Sequence, residues 1–443
     1  MRAGDAVRRL RRGPDAAPRR IRFVEFWSLE TVLRNGHILT FSTLVTSGLG
    51  ALYWALAARS YSDDTVGRNY AAVAAMMLLA GIGQLNLTNV MIRFTPVAGH
   101  RSRRLVVVSY LAASLTTAVL TVGFVLLIPV LSPGLAFLRS PLVACGFILA
   151  TAGYAVFVLQ DGVLTGLRRS GWVVLENLVF ALVKIVLVVA LAFLTVTGIL
   201  WSWALSVVVA IALANFLLFA RFLPRRRDIV SADRTDPGGP TGRYIVADYT
   251  GAMFWLAATT SLPILVLNHL GPRQAAFFSL SWLVAFFLYH LNTSMGSSLI
   301  VEAANDPARL GAHCRLVLRH TALLLVGGVA VLCAAAPLIL RIFGEDYAEN
   351  GAALLRLTAV SALPNLVVVA AVSICRVRRR LRLLMVIMVT ECTLAIGLSY
   401  VLLRVMGITG VGAAWVAAQT LVAAALWWRR AQWLPGAHHR AAG

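Results

Sequence analysis

The chain has almost no lysine: one residue, Lys184, against 39 arginines in 443 positions. Acidic residues are also scarce, 18 against 40 basic ones, leaving a formal net charge of +22. Charged residues make up 13% of the chain, about half the roughly 25% of ordinary soluble domains. So little charge cannot coat a soluble protein of this size. No Walker A sequence occurs, so a nucleotide-driven step within this chain is not expected. HExxH and GxSxG are missing too, and no catalytic constellation stands out; the chain is not expected to be an enzyme. Cys145, Cys314, Cys333, Cys375 and Cys392 are scattered without CxxC or Cys/His spacing. That pattern supports neither a metal site nor a disulfide framework, and single core cysteines are the reading.

What is present is apolar length. Hydrophobic residues reach 59% and the mean hydropathy is +0.81. The apolar runs are long and unbroken, as membrane-spanning helices of about 20 residues require. Outer-membrane barrels instead use strands of about 10 residues with alternating polarity. Twelve spans are predicted: 36–58, 69–92, 105–130, 141–166, 172–195, 198–220, 244–268, 275–300, 317–340, 351–375, 381–403 and 408–428. Between the sixth and seventh lies RFLPRRRDIVSADRTDPGGPTGR, residues 221–243, with six arginines and a helix-breaking DPGGPTG run. The division is therefore a basic tail (1–35), a six-helix bundle (36–220), a linker (221–243), a second six-helix bundle (244–428) and a tail (429–443). No signal peptide is read at the start. Residues 21–33 mix Phe23, Phe26 and Trp27 with charge, which suits either an interfacial amphipathic helix or a basic tail.

Charge placement agrees with this count. The segments and span ends on one side hold 32 of the 40 basic residues, and those on the other hold 6. By the positive-inside rule both termini and the linker are cytoplasmic. Positive charge here reads as topology and not as a nucleic-acid surface. The halves echo each other at an offset of 208 residues: Tyr70 with Phe278, Gln84 with Asn292, Pro129 with Pro337. Six plus six helices of parallel topology place a substrate path between the halves.

Several stretches carry a resemblance. They are LRNGHILTF…ALAARSYSDDTVGRNYA (33–71), VMIRFTP (90–96), GVLTGLRRSGWVVLENLVFALVKIVLVVAL after the fourth span, and PLILRIFGEDYAENGAALLRL (337–357). In order and spacing they resemble the polysaccharide (O-antigen) flippase branch of the multidrug/oligosaccharidyl-lipid/polysaccharide exporter superfamily. The resemblance implies an all-α membrane fold of two six-helix bundles arranged as a V, with alternating access around a central hydrated cavity. It implies a polyprenyl-diphosphate-linked oligosaccharide as substrate and a role in surface polysaccharide or lipopolysaccharide assembly at the plasma membrane. Polysaccharide polymerase and glycosyltransferases would then be partners, beside membrane lipid. No cofactor is implied beyond a coupling Na⁺ or H⁺. Two other readings stay open: a cation-coupled multidrug exporter of the same fold, and a non-transporting scaffold for polysaccharide assembly. Drug exporters generally carry an acidic residue in the first helix, and residues 36–58 contain none. A membrane glycosyltransferase would need a large soluble domain, which the spacing leaves no room for.

Ionisable groups inside spans are costly and tend to face cavities. Asp161, Glu176 and Asp248 lie near the basic ends of their spans, where interfacial anchoring is expected; Lys184, His290 and Glu391 lie deeper. Lys184 falls about twelve residues into the fifth span, roughly 18 Å along it and near the bilayer middle. Asn177 lies on the same stripe, about 20° around the helix. Lys184 either holds a diphosphate as a point charge, pairs with an acid such as Asp161, or snorkels. GQLNLTN (83–89) and YHLNTSMGSS (289–298) are polar runs that either line the cleft or join helices. Gln84, Asn89 and Asn292 are taken with Lys184 and Asn177 as candidate substrate contacts. By the resemblance, acids on helices seven and eleven form a cation site, which points to Asp248 and Glu391. Their depths differ by about 9 Å at helical rise.

Overall fold

The structure is a computed structural model and describes residues 47–96, 98–222, 242–305 and 310–433. The basic tail with its 21–33 segment, nearly all of the linker, and the last ten residues lie outside those described. The described elements are helices: α1 (47–60), α2 (Asp63–Gly83), α3 (Leu87–Phe94), α4 (Ser102–Leu131), α5 (Pro141–Gly166), α6 (Ser170–Ala190) and α7 (Gly198–Leu217) make the first lobe. The second holds α8 (Gly242–Leu270), α9 (Pro272–Asn305), α10 (Leu310–Leu340), α11 (Glu345–Val377), α12 (Leu381–Met406) and α13 (Ile408–Trp428), with a short α14 (Arg430–Trp433). Eleven of them are long and apolar enough to cross a membrane. Their lipid-side residues, such as Leu126, Val130, Leu338 and Val405, are more than two-thirds exposed. Apolar surface of that kind is stable in hydrocarbon and not in water. The protein is a multi-pass membrane protein.

The span edges follow the chemistry of the chain. Ser62 caps α2 by accepting from the Thr65 amide, and Asp63 and Asp64 follow in the first turn, where acids favour the helix dipole. Pro141 opens α5 at its first turn, where the missing N–H costs nothing. Arg168 and Arg379 take positive φ just past α5 and α11, ending those helices at the arginine-rich side.

One span departs from expectation. The second span is two helices, because Leu85 and Asn86 take φ of 51° and 59° and break α2 from α3. The carbonyls freed by the break are satisfied. Thr116 Oγ1 donates to Gly83 O at 2.6 Å, and Tyr249 Oη donates to Ile82 O at 2.9 Å. An unpaired carbonyl in hydrocarbon would cost several kcal/mol. The break is not repeated at the equivalent place in the other half, where α9 runs unbroken through Asn292.

The lobes meet along two seams. On one, α2 packs on α8 and α9 so tightly that a Cβ on Gly67 would stand 1.9 Å from Pro272 O. On the other, α1 faces α9 and α10. Polar bridges tie the lobes at the arginine-poor end: Arg273 binds Asp346 at 2.7 Å within its own lobe and Asp63 of the first lobe at 3.6 Å. Arg59 Nε donates to Ile342 O at 2.9 Å, and Ser132 Oγ to Asn268 Oδ1 at 3.0 Å. An apolar core including Trp54, Phe147, Leu262, Phe278, Leu355 and Trp415 runs through both lobes.

Candidate functional site

Between the lobes lies a cavity of about 350 Å³. The first lobe contributes Trp54, Tyr70, Lys184 and Trp203 to its wall; the second contributes Trp282, Phe286 and His290, among others. Lys184 is 7% exposed. Its Nζ lies 4.8 Å from the ring centres of Phe180 and Trp203 and 5.1 Å from that of Tyr53. The three rings hold one another: Trp203 stands edge-on to Phe180 at 5.4 Å and to Tyr53 at 6.3 Å. Tyr53 is fixed in turn by bonds to Ile199 O and Ser202 Oγ. Phe180 sits one turn before Lys184 on α6, the spacing that lets two helical side chains touch.

Each desolvated cation–ring contact contributes about 2 kcal/mol. Three of them offset much of the several kcal/mol that burying one ion costs. Among the described residues no carboxylate comes within ion-pair distance of Lys184. Asp161 does not pair with it; the Asp161 carboxylate instead accepts from Asn177 Nδ2 at 3.4 Å. Lys184 is also closer to the arginine-poor end than its sequence position suggests, because α6 stops at Ala190. It stands roughly 21 Å from the helix start and 9 Å from its end at helical rise.

The other sequence candidates take structural roles. Asn177 bonds Asp161 and Val173 O and does not line the cavity. Gln84 accepts from Thr88 Oγ1 at 2.6 Å, and Asn89 donates to Asn86 Oδ1 at 2.7 Å, so both bridge the α2–α3 break. Local polar side chains are drawn there because a broken helix leaves backbone groups open. Asn292 donates to Ala362 O and Asn365 Oδ1, joining α9 to α11. Glu176 was expected at the interface, yet it is 2% exposed and neither carboxylate oxygen has a partner among the described residues.

The two candidate coupling acids share a second-lobe cavity of about 200 Å³ only indirectly. Glu391 and Arg376 both line it. Asp248 is bound to Arg376 at 2.8 Å, so a cation already neutralises it. Glu391 is 1% exposed and accepts from Gln419 Nε2 at 2.5 Å. Gln419 accepts from Asn365 Nδ2 at 3.2 Å, and Asn365 accepts from Asn292 at 3.0 Å. Glu391 thus ends a chain of amides crossing α12, α13, α11 and α9. Periodicity pointed to neither the aromatic cage nor this chain; the Phe180–Lys184 spacing was the one sequence signal for the cage.

Comparison with known proteins fits this architecture. Residues 32–235 match the family described as polysaccharide biosynthesis protein. No protein of curated function matches in sequence. A multidrug resistance MATE family transporter of the MOP superfamily, in an inward-facing conformation, is similar with a TM-score of 0.66 at 14% identity, over 89% of this chain and 97% of that one. Its outward-facing conformation gives 0.63 at 15% identity, over 91% and 96%. A MOP superfamily transporter from Pyrococcus furiosus gives 0.61 at 15% identity, over 91% and 96%. With the family match confined to the first lobe and linker, and the structural likeness spanning both lobes, this chain has the two-lobed fold of the MOP superfamily transporters and a first lobe similar to the polysaccharide biosynthesis proteins.

Proposed function

We propose that the chain is a flippase that moves a polyprenyl-diphosphate-linked oligosaccharide across the plasma membrane by alternating access, for surface polysaccharide assembly. The observation that carries this is Lys184, a buried ammonium with no acidic partner among the described residues, on the wall of the inter-lobe cavity. Ring faces lower the cost of burying the charge but leave it unneutralised, so an entering anion gains a full charge–charge contact in a medium of low dielectric. The aromatic wall around it offers flat apolar faces with few polar groups, the usual make-up of a pocket for an organic ligand. The match of residues 32–235 to polysaccharide biosynthesis proteins supports the glycan side of the reading.

A cation-coupled drug exporter of the same fold is the competing reading, and Lys184 separates the two. A positive centre repels a cationic drug and attracts a diphosphate. The Pyrococcus furiosus neighbour is itself described as having a binding pocket of reversed polarity that suggests a different function. Glu391 is the residue for Na⁺ or H⁺ coupling in this reading, with Asp248 left to its ion pair with Arg376. Glycosyltransferases and a polysaccharide polymerase are the partners that would make and consume the cargo. The test is export in cells that depend on this protein for surface polysaccharide. Lys184→Arg should retain partial export and Lys184→Gln should lose most of it, with both variants at normal membrane levels. Normal export by Lys184→Gln would remove the anion site.

A further inference from the structure

A second space opens beside the central cavity, on the α1 seam. It measures about 590 Å³ and is bounded by α1, α9 and α10. Its lining is apolar side chains and small residues: Leu52, Ala55, Val331 and Ile342 beside Gly327 and Gly328. Phe287 belongs to the walls of both spaces, so a single ring partitions the cationic cavity from the apolar groove. Leu52, Val331 and Ile342 are each about half exposed or more, so the groove is open along its outer side. The Arg59 bond to Ile342 O closes it toward the arginine-poor end. The opposite seam offers no such opening where α2 meets Pro272 in backbone contact.

We infer that this groove holds the hydrocarbon tail of the anionic lipid whose head sits beside Lys184. The inference rests on the anionic-lipid reading above. A lipid-linked substrate has two ends that want opposite surroundings, and the tail cannot follow a diphosphate into a polar centre without leaving hydrocarbon. It must exit sideways through an apolar opening at the level of the head. The groove is that opening: apolar, lateral, and one aromatic ring from the cavity. The glycines fit the role, since a Cβ on Gly327 would meet nothing within 4 Å and the space beyond it is free.

That free space also supplies the test. Gly327→Leu and Val331→Trp should fill the groove without disturbing the helix; at Gly327 the change raises helix propensity. The probes are farnesyl diphosphate, with a tail, and isopentenyl diphosphate, nearly without one. Their binding to the full-length protein in nanodiscs is read from quenching of the cavity tryptophans. Wild type should bind the farnesyl compound about tenfold or more tighter, as burial of several CH₂ groups implies. Both groove variants should bring the two affinities within about twofold by weakening the farnesyl compound alone. Lys184→Gln should weaken both probes by the same factor and leave their ratio intact. If the groove variants keep the wild-type ratio while Lys184→Gln weakens both, the groove inference fails and the anion site stands. If Lys184→Gln changes neither affinity, the anion reading fails and takes the groove with it. Displacement of farnesyl diphosphate by phosphatidylglycerol as readily as by its own unlabelled form would make the groove a berth for bulk lipid and overturn the inference.

Discussion

The two lobes each bury one deep charge and solve the problem in opposite ways. In the first lobe Lys184 is surrounded by the rings of Tyr53, Phe180 and Trp203. In the second, Glu391 is hydrogen-bonded by Gln419, which is bonded in turn to Asn365. An ammonium has donors only, and ring faces attract it without supplying a counter-charge. A carboxylate has acceptors only, and an amide chain can be built to meet it. The consequence is functional. The amide-bound acid is part of the frame of its lobe, whereas the ring-bound cation keeps its charge available to a ligand.

The largest test of that contrast compares the stabilities of two apolar replacements. Glu391→Leu leaves the Gln419 amide buried and unpaired and should destabilise the purified protein by about 1–3 kcal/mol, the cost of an unsatisfied buried partner. Lys184→Leu strands no hydrogen-bond partner and should stay within about 1 kcal/mol of wild type or gain, as exchanges of buried charge for apolar groups often do. Thermal unfolding of both variants reads the difference, and equal losses would erase the distinction between frame and binding charge.

A smaller effect sharpens the cage itself. Phe180→Leu removes one ring at similar position. In a double-mutant cycle with Lys184→Leu, the pair should show a coupling of about 0.5–2 kcal/mol. A coupling near zero would mean that the rings pack around the lysine without holding it. The smallest effect is expected at Asn89, which is exposed and bonded to Asn86 within its own loop. Asn89→Ala should change stability by no more than about 0.5 kcal/mol and leave export at the wild-type level. A clear loss of export would return Asn89 to the substrate path.

These outcomes mark how far the amino-acid sequence could be read. The fourth and twelfth spans were legible to the residue, as Pro141–Gly166 and Ile408–Trp428. Lys184 was legible as well, since a lone lysine in a Leu/Val-rich span has no cheap place to go. The polar runs were misleading, because Gln84 and Asn292 are equivalent by offset and differ in use. One bridges a helix break at Leu85 and Asn86, and the other crosslinks two intact helices. Asp248 and Glu391 were joined by helix number alone, and Arg376, on a third helix, draws Asp248 away.

What the sequence determined by itself is the class of solvent and the partition of the chain. Long apolar runs require a membrane, and the clustering of arginine sorts the loops to two sides. What only the tertiary structure decided is which side chains share a space. Helical periodicity orders residues around one axis, but Tyr53, Phe180, Lys184 and Trp203 come from three helices whose relative rotation no single-helix pattern encodes. The groove on the α1 seam and the amide chain behind Glu391 arise in the same way, from packing between helices in a medium where every polar group must find its partner inside the protein.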